Sequence, residues 1–573
     1  MTFPLLLSTL AFRPLAEAPF TVTLRDGRQL HGTTGSGKFE DPQSGLSVVS
    51  RTVRHRTYSR WIFTLSATKG DVDVARFDAL EADFPGAHPI GTVQGSPVAT
   101  DDRFMALEHP MASNLAENGR VRLGVERKLP LHTGTPVTYS AVVGTYRPGQ
   151  LRRDFLAYLE AERPRRYAPF LHYNSWYDIG YFNRYTEKEG LDRIASIGEE
   201  LSRKRGVKLA SFMFDDGWDD TSTAWEFNRD FPQGFANLRD AAAKFGAGPG
   251  MWLSPWGGYG KPHEERVATA KRLGYEVGDE GYSLSGPKYY ARFHAQTMKF
   301  VKEYNVDQFK LDGTGSPDRQ YAGSAFSSDF DAAISLITDL RAAQPKLFIN
   351  LTTGTWPSPF WTRYADSIWR GGYDHSFAGV GPDREKWITY RDGNTYHDIV
   401  QQGPLYPLNS LMLHGLIYAQ HAQKLTTDPS GAFRHEVRDY FGTGTQLQEM
   451  YITPSLLTAQ NWDDIAEAAK WSQANAKTLG DVHWFGGDPN KLEVYGFAAW
   501  SPGHAILTFR NPSDKPQTYE LDLAKVLEVP AAGSTVELKS PWKGESTAIK
   551  ASLGGSTTVT LAPFEVLTLQ GKA

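Results

Sequence analysis

Over the first 148 residues apolar and polar positions alternate with a period of two. Phe20-Thr21-Val22-Thr23-Leu24 and Val121-Arg122-Leu123-Gly124-Val125 are typical runs, punctuated by Gly, Asp and Pro. Residues i and i+2 of a strand share a face, so the pattern predicts half-buried strands, and their succession an antiparallel β-sandwich over 1–148. A helical stretch from Leu151 to Glu162, then Pro164 and Pro169, predicts a linker over 149–168. From about 169 the period changes. Leu191, Ile194, Ile197 and Leu201 fall on one helical face before the apolar run 208–214. Phe293, Thr297, Phe300, Val301 and Tyr304 do the same before 306–311. Short apolar runs alternating with amphipathic helices are the βαβα signature of a parallel sheet. Strand candidates at 169–174, 208–214, 249–254, 306–311, 346–351, 366–370, 408–414 and 449–453 predict a (β/α)8 barrel over 169–480. Runs such as Leu492-Glu493-Val494-Tyr495, Ala505-Ile506-Leu507-Thr508-Phe509 and Val566-Leu567-Thr568-Leu569 predict a second β-sandwich over 481–573. The fold class expected is therefore α/β, a TIM barrel flanked by two antiparallel sandwiches.

Composition narrows the function. A chain of 573 residues exceeds one core. The aromatic share is 13%, which suits sugar clefts that set rings against pyranose faces, and suits a large core equally. Net charge is −4 with both signs interspersed, so the basic footprint of a nucleic-acid binder is missing. The sequence has no apolar run long enough for a membrane-spanning helix. Zero cysteines exclude disulfides, thiol nucleophiles and Cys-ligated metals. The opening residues Met1-Thr2-Phe3-Pro4-Leu5-Leu6-Leu7 look like part of a signal peptide without its charged start, a plain first strand being the alternative, and a periplasmic or secreted location is expected over a cytoplasmic one.

A barrel carries its chemistry at the C-terminal ends of its strands. Those ends read Asn174-Ser175-Trp176, Asp215-Asp216-Gly217-Trp218, Ser254-Pro255-Trp256, Lys310-Leu311-Asp312, Thr352-Thr353-Gly354-Thr355-Trp356-Pro357 and Trp369-Arg370-Gly371-Gly372-Tyr373-Asp374. An Asp after a strand is often the N-cap of the next helix. Four carboxylates, two cations and several Trp at separate strand ends fit capping poorly. Glycoside cleavage needs two carboxyls and neither metal nor thiol. Lys310, two residues before Asp312, is expected to hold that carboxylate ionised, whereas Asp374 as an acid needs a raised pKa.

These residues resemble glycoside hydrolase clan D, the melibiase-like α-galactosidases and α-N-acetylgalactosaminidases, over about 169–455. The resemblance implies Asp312 as nucleophile and Asp374 as general acid/base, a retaining mechanism, and a carboxyl separation of about 5–5.5 Å. It further implies substrate contacts from Asp215, Asp216, Lys310 and Arg370, with Trp176 backing the sugar ring. Trp218, Trp256 and Trp356 are added as aromatic walls. Where bacterial members carry a Cys and a glycine-rich run, this chain has Thr352-Thr353-Gly354-Thr355. Small residues at Thr355 and Ser358 resemble the α-N-acetylgalactosaminidases, which make room there for an acetamido group. The expected substrate is an oligosaccharide or glycoconjugate ending in an α-linked galactose or N-acetylgalactosamine, cleaved exo-fashion without cofactor or metal, by an enzyme that is either a monomer or a homo-oligomer. A transglycosylase of the raffinose-synthase kind and a non-catalytic carbohydrate-binding protein are the alternatives. Gly32 to Lys38 imitates a phosphate loop, but Phe39 follows and no helix is expected there. His375 and His414 lie near the mouth, as sugar contacts or as structural groups.

Overall fold

The strand Tyr58–Ala67 shows how the first region folds, because Trp61, Phe63, Leu65 and Ala67 are buried while the residues between them are only half-buried. A computed structural model describes residues 17–279, 281–313 and 321–572, so the leader-like residues 1–16 lie outside the described residues. The chain divides into two compact units. One runs to Glu162 and takes in Pro357–Trp361 and Gln402–Tyr406, and the other comprises Arg163–Trp356, Thr362–Gln401 and the chain from Pro407 onward.

In the first unit a five-stranded and a seven-stranded antiparallel sheet share one apolar cluster, in which Phe20, Val22, Phe77 and Leu123 meet Trp61, Phe63 and Leu65. Leu151–Glu162 is helical as the sequence predicts. It packs within this unit, Phe155 edge-on to Phe104 at 5.1 Å and Tyr158 edge-on to Tyr58 at 5.1 Å, rather than standing as a free linker. The phosphate-loop imitation folds as a three-residue 3-10 turn, Thr34–Ser36, leading into the strand Lys38–Asp41.

The second unit is built on a curled parallel sheet. Its strands are β1 (Phe170–Asn174), β2 (Ser211–Phe214), β3 (Gly248–Leu253), β4 (Gln308–Leu311), β5 (Phe348–Leu351), β6 (Ile368–Trp369), β7 (Leu411–Met412) and β8 (Leu447–Ile452). Parallel pairing runs β5-β4-β3-β2-β1-β8, and β6 pairs with β7. An Asn350–Ser367 bridge joins β5 to the approach of β6. Every residue of β1, β2, β4 and β5 is buried, polar ones such as His172, Gln308 and Lys310 included, so these strands do not alternate between buried and exposed positions. The helix Glu187–Ile197 starts at a Thr186–Glu189 capping box and buries Ile194 and Ile197, as their spacing requires. The run predicted at 408–414 is shorter than expected, because Leu408–Ser410 form a 3-10 turn and Leu416–Tyr418 a separate strand on β8.

Beyond β8, a six-stranded sheet and the pair Gln517–Leu521 and Thr557–Leu561 enclose their own apolar cluster. The strand expected at Leu492 begins at Tyr495 instead. Asp488 caps a short turn there, and Leu492 adopts a left-handed conformation at φ 58°.

Candidate active site

Two side chains at the end of β1 stitch the neighbouring loops together. Asn174 Oδ1 accepts the Trp176 N–H at 2.9 Å, and Ser175 Oγ accepts the Asp215 N–H at 2.8 Å. Trp176 is thereby fixed among Tyr181 and Phe182, with ring centroids at 5.4 and 4.9 Å.

At the end of β2, Asp215 is buried and accepts Lys310 Nζ at 2.9 Å. Burial raises its pKa, and Lys310 opposes the rise. Asp216 faces Arg266 of the helix Gly260–Leu273, whose guanidinium also grips Asp219 at 2.6 Å and lies between Trp225 and Trp252. Burial pushes the Asp216 carboxyl up as well, with Arg266 pulling against it.

Lys310 therefore does not contact Asp312 as the spacing suggested. Its four-carbon stem carries the ammonium across the intervening β3 to Asp215. Burial disfavours its charge, but Asp215, Asp312 and Asp374 together overcome that and lift its pKa above the ordinary lysine range. Three carboxylates from three strand ends are thus within electrostatic reach of one ammonium.

Asp312 is held by neutral donors. Trp252 Nε1–H donates to Oδ2 at 3.0 Å. Oδ1 is approached by Tyr259 OH at 3.2 Å, by Thr353 Oγ1 at 3.3 Å and by Thr352 Oγ1. Tyr259 and Thr353 share a further hydrogen bond of 2.6 Å. Gly313, at φ 92°, is required here, since a Cβ would lie 2.3 Å from Cε2 of the Trp256 indole. Trp256 is half-buried, and its Nε1–H is buried with no hydrogen-bond partner among the described residues.

Asp374 has the opposite setting. Its side chain is 56% exposed, and His414 Nε2 stands 4.0 Å from its Oδ1. Its backbone is gripped instead. Arg370 Nη2 donates to the Tyr373 and Asp374 carbonyls, each at 3.0 Å, while Nη1 takes Gly371 O and Nε takes Leu413 O. Burial lowers the Arg370 pKa to about 10, and its charge rests on the Trp369 ring at 4.5 Å.

Asp215, Lys310, Asp312 and Asp374 are thus brought into one neighbourhood, with Trp176 and Trp256 among its loops. Three expected contacts need correction. Arg370 is fully buried and spends its donors on carbonyls, so it shapes the Asp374 turn and does not reach a sugar. Trp218 is fully buried because Gly217, at φ 124°, turns the chain inward. Its N–H goes to Trp252 O at 3.0 Å and its ring packs on Phe227 and Phe300. Ser358 is fully buried against Gly95 in the first unit and offers no face to a ligand. Asp216 pairs with Arg266 and lines a cleft with Phe182, Asn183 and Lys261. Thr355 is half-buried with its hydroxyl on Thr352 O at 2.7 Å, and Trp356 lies edge-on to Phe330 at 5.3 Å.

Sequence reasoning missed Trp252, Tyr259 and Arg266. A tyrosine inside Gly257-Gly258-Tyr259-Gly260, straight after a strand end, was a usable signal. Nothing distinguished Arg266 from a surface helix residue. Among the described residues, no cluster of His, Asp or Glu is arranged to hold a metal, and no helix is long and apolar enough to cross a membrane.

No family model matches this sequence, and no curated protein matches it. Solved structures do. The galactosidase domain of an α-galactosidase–sucrose kinase superposes with a TM-score of 0.60 at 12% identity, covering 93% of this chain and 81% of that one. An α-galactosidase from Lactobacillus brevis gives 0.58 at 12% identity, covering 97% and 87%. The likeness lies in the backbone, and by that measure the protein has the melibiase-like α-galactosidase fold.

Proposed function

We propose that this protein is a retaining, exo-acting α-glycosidase that removes a terminal α-linked galactose-type sugar. One observation carries the reading: Asp312, wrapped in indole and hydroxyl donors, and Asp374, open to solvent, lie in the field of the same Lys310 ammonium. A nucleophile needs a fixed, ionised carboxylate, and a general acid needs access to the leaving oxygen. Asp312 bonds to the anomeric carbon as the glycosidic bond breaks. The bond's electron pair goes to the leaving oxygen, which takes the Asp374 proton. In the second half Asp374 removes a proton from water, whose oxygen displaces Asp312. Neither half calls for a metal or cofactor.

Asp215 and Lys310 offer an acceptor and a donor to sugar hydroxyls, and Trp176 an apolar wall. The α-galactosidase names of the two solved relatives support a galactose configuration. With Ser358 buried elsewhere, the case for an acetamido group rests on Thr355 alone, so both sugars belong in the first assay. We place the catalytic barrel at 169–480 between the flanking sandwiches 1–148 and 481–573. Closure of its eight strands is supported by the β1–β8 pairing, the Asn350–Ser367 bridge and the Gln446 N–H to Asn409 O bond of 2.8 Å.

The test is hydrolysis of p-nitrophenyl α-galactoside and of its 2-acetamido analogue, with NMR following the anomer released. Turnover of at least one, with the α-sugar appearing first, is expected. The β-anomer appearing first, or no turnover of either, overturns the proposal.

A further inference from the structure

The exposed aromatic rings at the strand ends differ in what they touch. Phe182, after β1, packs on Trp176 and Tyr181, with ring centroids at 4.9 and 5.7 Å. Tyr259, after β3, is bonded to Asp312 and Thr353. Tyr373, one residue before Asp374, is 79% exposed, more than any other large apolar side chain among the described residues. A ring left in water forgoes the burial that makes an aromatic residue useful to a fold, so its place needs another reason.

The chain around it is built to hold it there. Gly371 and Gly372 turn through left-handed backbone, at φ 95° and 71°. A Cβ on the first would run into the Asp398 carboxylate, and one on the second would lie 2.6 Å from Asn394 Oδ1. The turn delivers the Tyr373 N–H to the Tyr390 hydroxyl at 2.7 Å and the Tyr373 carbonyl to Arg370 Nη2 at 3.0 Å. Asp374 is fixed in the same way. Its carbonyl accepts Arg370 Nη2 at 3.0 Å and faces His414 Nδ1 at 2.9 Å, and the His414 N–H is itself held by Glu449 Oε2 at 3.0 Å. On the far side of Asp374, His375 turns inward, with Nδ1 2.9 Å from the Tyr177 hydroxyl and its ring edge-on to Phe377 and Trp387. Residues 373 and 375 therefore face opposite ways, and the outward one carries the ring.

The position of an acid fixes where the leaving group lies. To protonate the glycosidic oxygen, the Asp374 carboxyl must come within about 2.6–3.2 Å of it. Consecutive Cα atoms are only about 3.8 Å apart, so a side chain next to that carboxyl is within reach of the group bonded to the departing oxygen. We infer that the Tyr373 ring is a binding platform for the leaving group, and that the leaving group it selects is a second sugar ring.

A pyranose has an apolar C–H face that covers an aromatic ring and hydroxyl edges that need polar company. The neighbours of the turn are polar: the Asp374 carboxyl, the Tyr390 hydroxyl, the Asn394 amide and the Asp398 carboxyl. An alkyl chain would need apolar surface continuing beyond one ring, and these groups offer none. The substrate class that follows is an oligosaccharide or glycan ending in the α-linked sugar, rather than a glycoside of a lipid or of a small alcohol.

The inference rests on the proposed roles of Asp312 and Asp374. α-Galactosyl fluoride tests those roles separately, because fluoride leaves without an acid and places no ring beside Tyr373. The quantity to compare is kcat/KM for methyl α-galactoside, octyl α-galactoside and the 1→3, 1→4 and 1→6 α-galactosyl disaccharides, or their 2-acetamido counterparts. All of these need the acid, and only the disaccharides bring a second sugar ring. Wild type should favour at least one disaccharide over the methyl glycoside. Tyr373→Ala should lower kcat/KM for that disaccharide by about 3- to 10-fold, the scale of one stacked ring. The methyl glycoside, the octyl glycoside and the fluoride should stay within about twofold of wild type, and so exposed a side chain should leave the melting temperature unmoved. Tyr373→Trp should keep the preference. Equal losses on the methyl glycoside and the disaccharide place the effect on Asp374 instead, and an octyl loss matching that of the disaccharide makes the occupant an alkyl chain. Either result overturns the inference, as does an unchanged disaccharide or a wild type with no disaccharide preference. If wild type leaves the fluoride intact, the underlying reading falls first.

Discussion

The ends of β4 and β6 treat their carboxylates in opposite ways. After β4 the side chain of Asp312 is immobilised by Trp252, Tyr259, Thr352 and Thr353, from three separate segments. After β6 the backbone of Asp374 is immobilised by Arg370 and His414, and the carboxyl is left open. The difference suits the two roles proposed for these carboxylates. An attacking oxygen gains from a fixed position, because a misplacement of about 1 Å can cost two orders of magnitude in rate. An acid that serves two steps gains from a firm base and a mobile tip. Charge is shared between the ends through Lys310, which touches neither carboxylate.

The largest expected effect breaks the β4 side. Asp312→Asn should lower kcat by at least ~10⁴-fold with the melting temperature little changed, since the amide keeps the shape and loses the nucleophile. Breaking the β6 side costs less. Asp374→Ala should lose about 10²–10⁴-fold on poor leaving groups and regain rate with azide on an activated aryl glycoside, as a small nucleophile fills the vacated space. Tyr259→Phe sharpens the comparison. Loss of one hydroxyl beside Asp312 should reduce kcat by about 10- to 100-fold with KM nearly unchanged, a fall in KM of similar size being the contrary result.

The smallest effect concerns stability on the β6 side. Burial raises Glu449 to about 7. Between the unfolded carboxyl pKa and that value the native state holds a proton that the unfolded chain releases, so stability falls as pH rises through that window. Glu449→Gln should flatten this slope between about pH 5 and 7, by roughly 1–3 kcal/mol in a denaturant series, and an unchanged slope would count against it.

Much of this was legible in the sequence, for identifiable reasons. Strands buried on both faces lose the two-residue alternation, so β1 to β6 stand out as short apolar-rich runs, and the carboxylates after β2, β4 and β6 announce themselves by position. Residues two apart on a strand share a face, which predicts a Lys310–Asp312 pair, but spacing along one strand does not say which neighbouring strand a long side chain will reach. Trp218 looked like part of the mouth until the turn at Gly217 sent it into the core. The resemblance to the α-N-acetylgalactosaminidases implies one pocket for Thr355 and Ser358, whereas Pro357–Trp361 belongs to the other unit. Tyr259 and His414 reach their partners through left-handed backbone at Gly258, Gly260 and His414 itself, and hydrophobic periodicity does not encode that.

Covalent capture tests the central claim most directly. A fluorinated α-galactosyl fluoride, or its 2-acetamido counterpart, should inactivate the enzyme and leave one sugar on the peptide bearing Asp312, read by mass spectrometry after digestion. A label on any other residue, or time-dependent inactivation that persists in Asp312→Asn, would contradict the account.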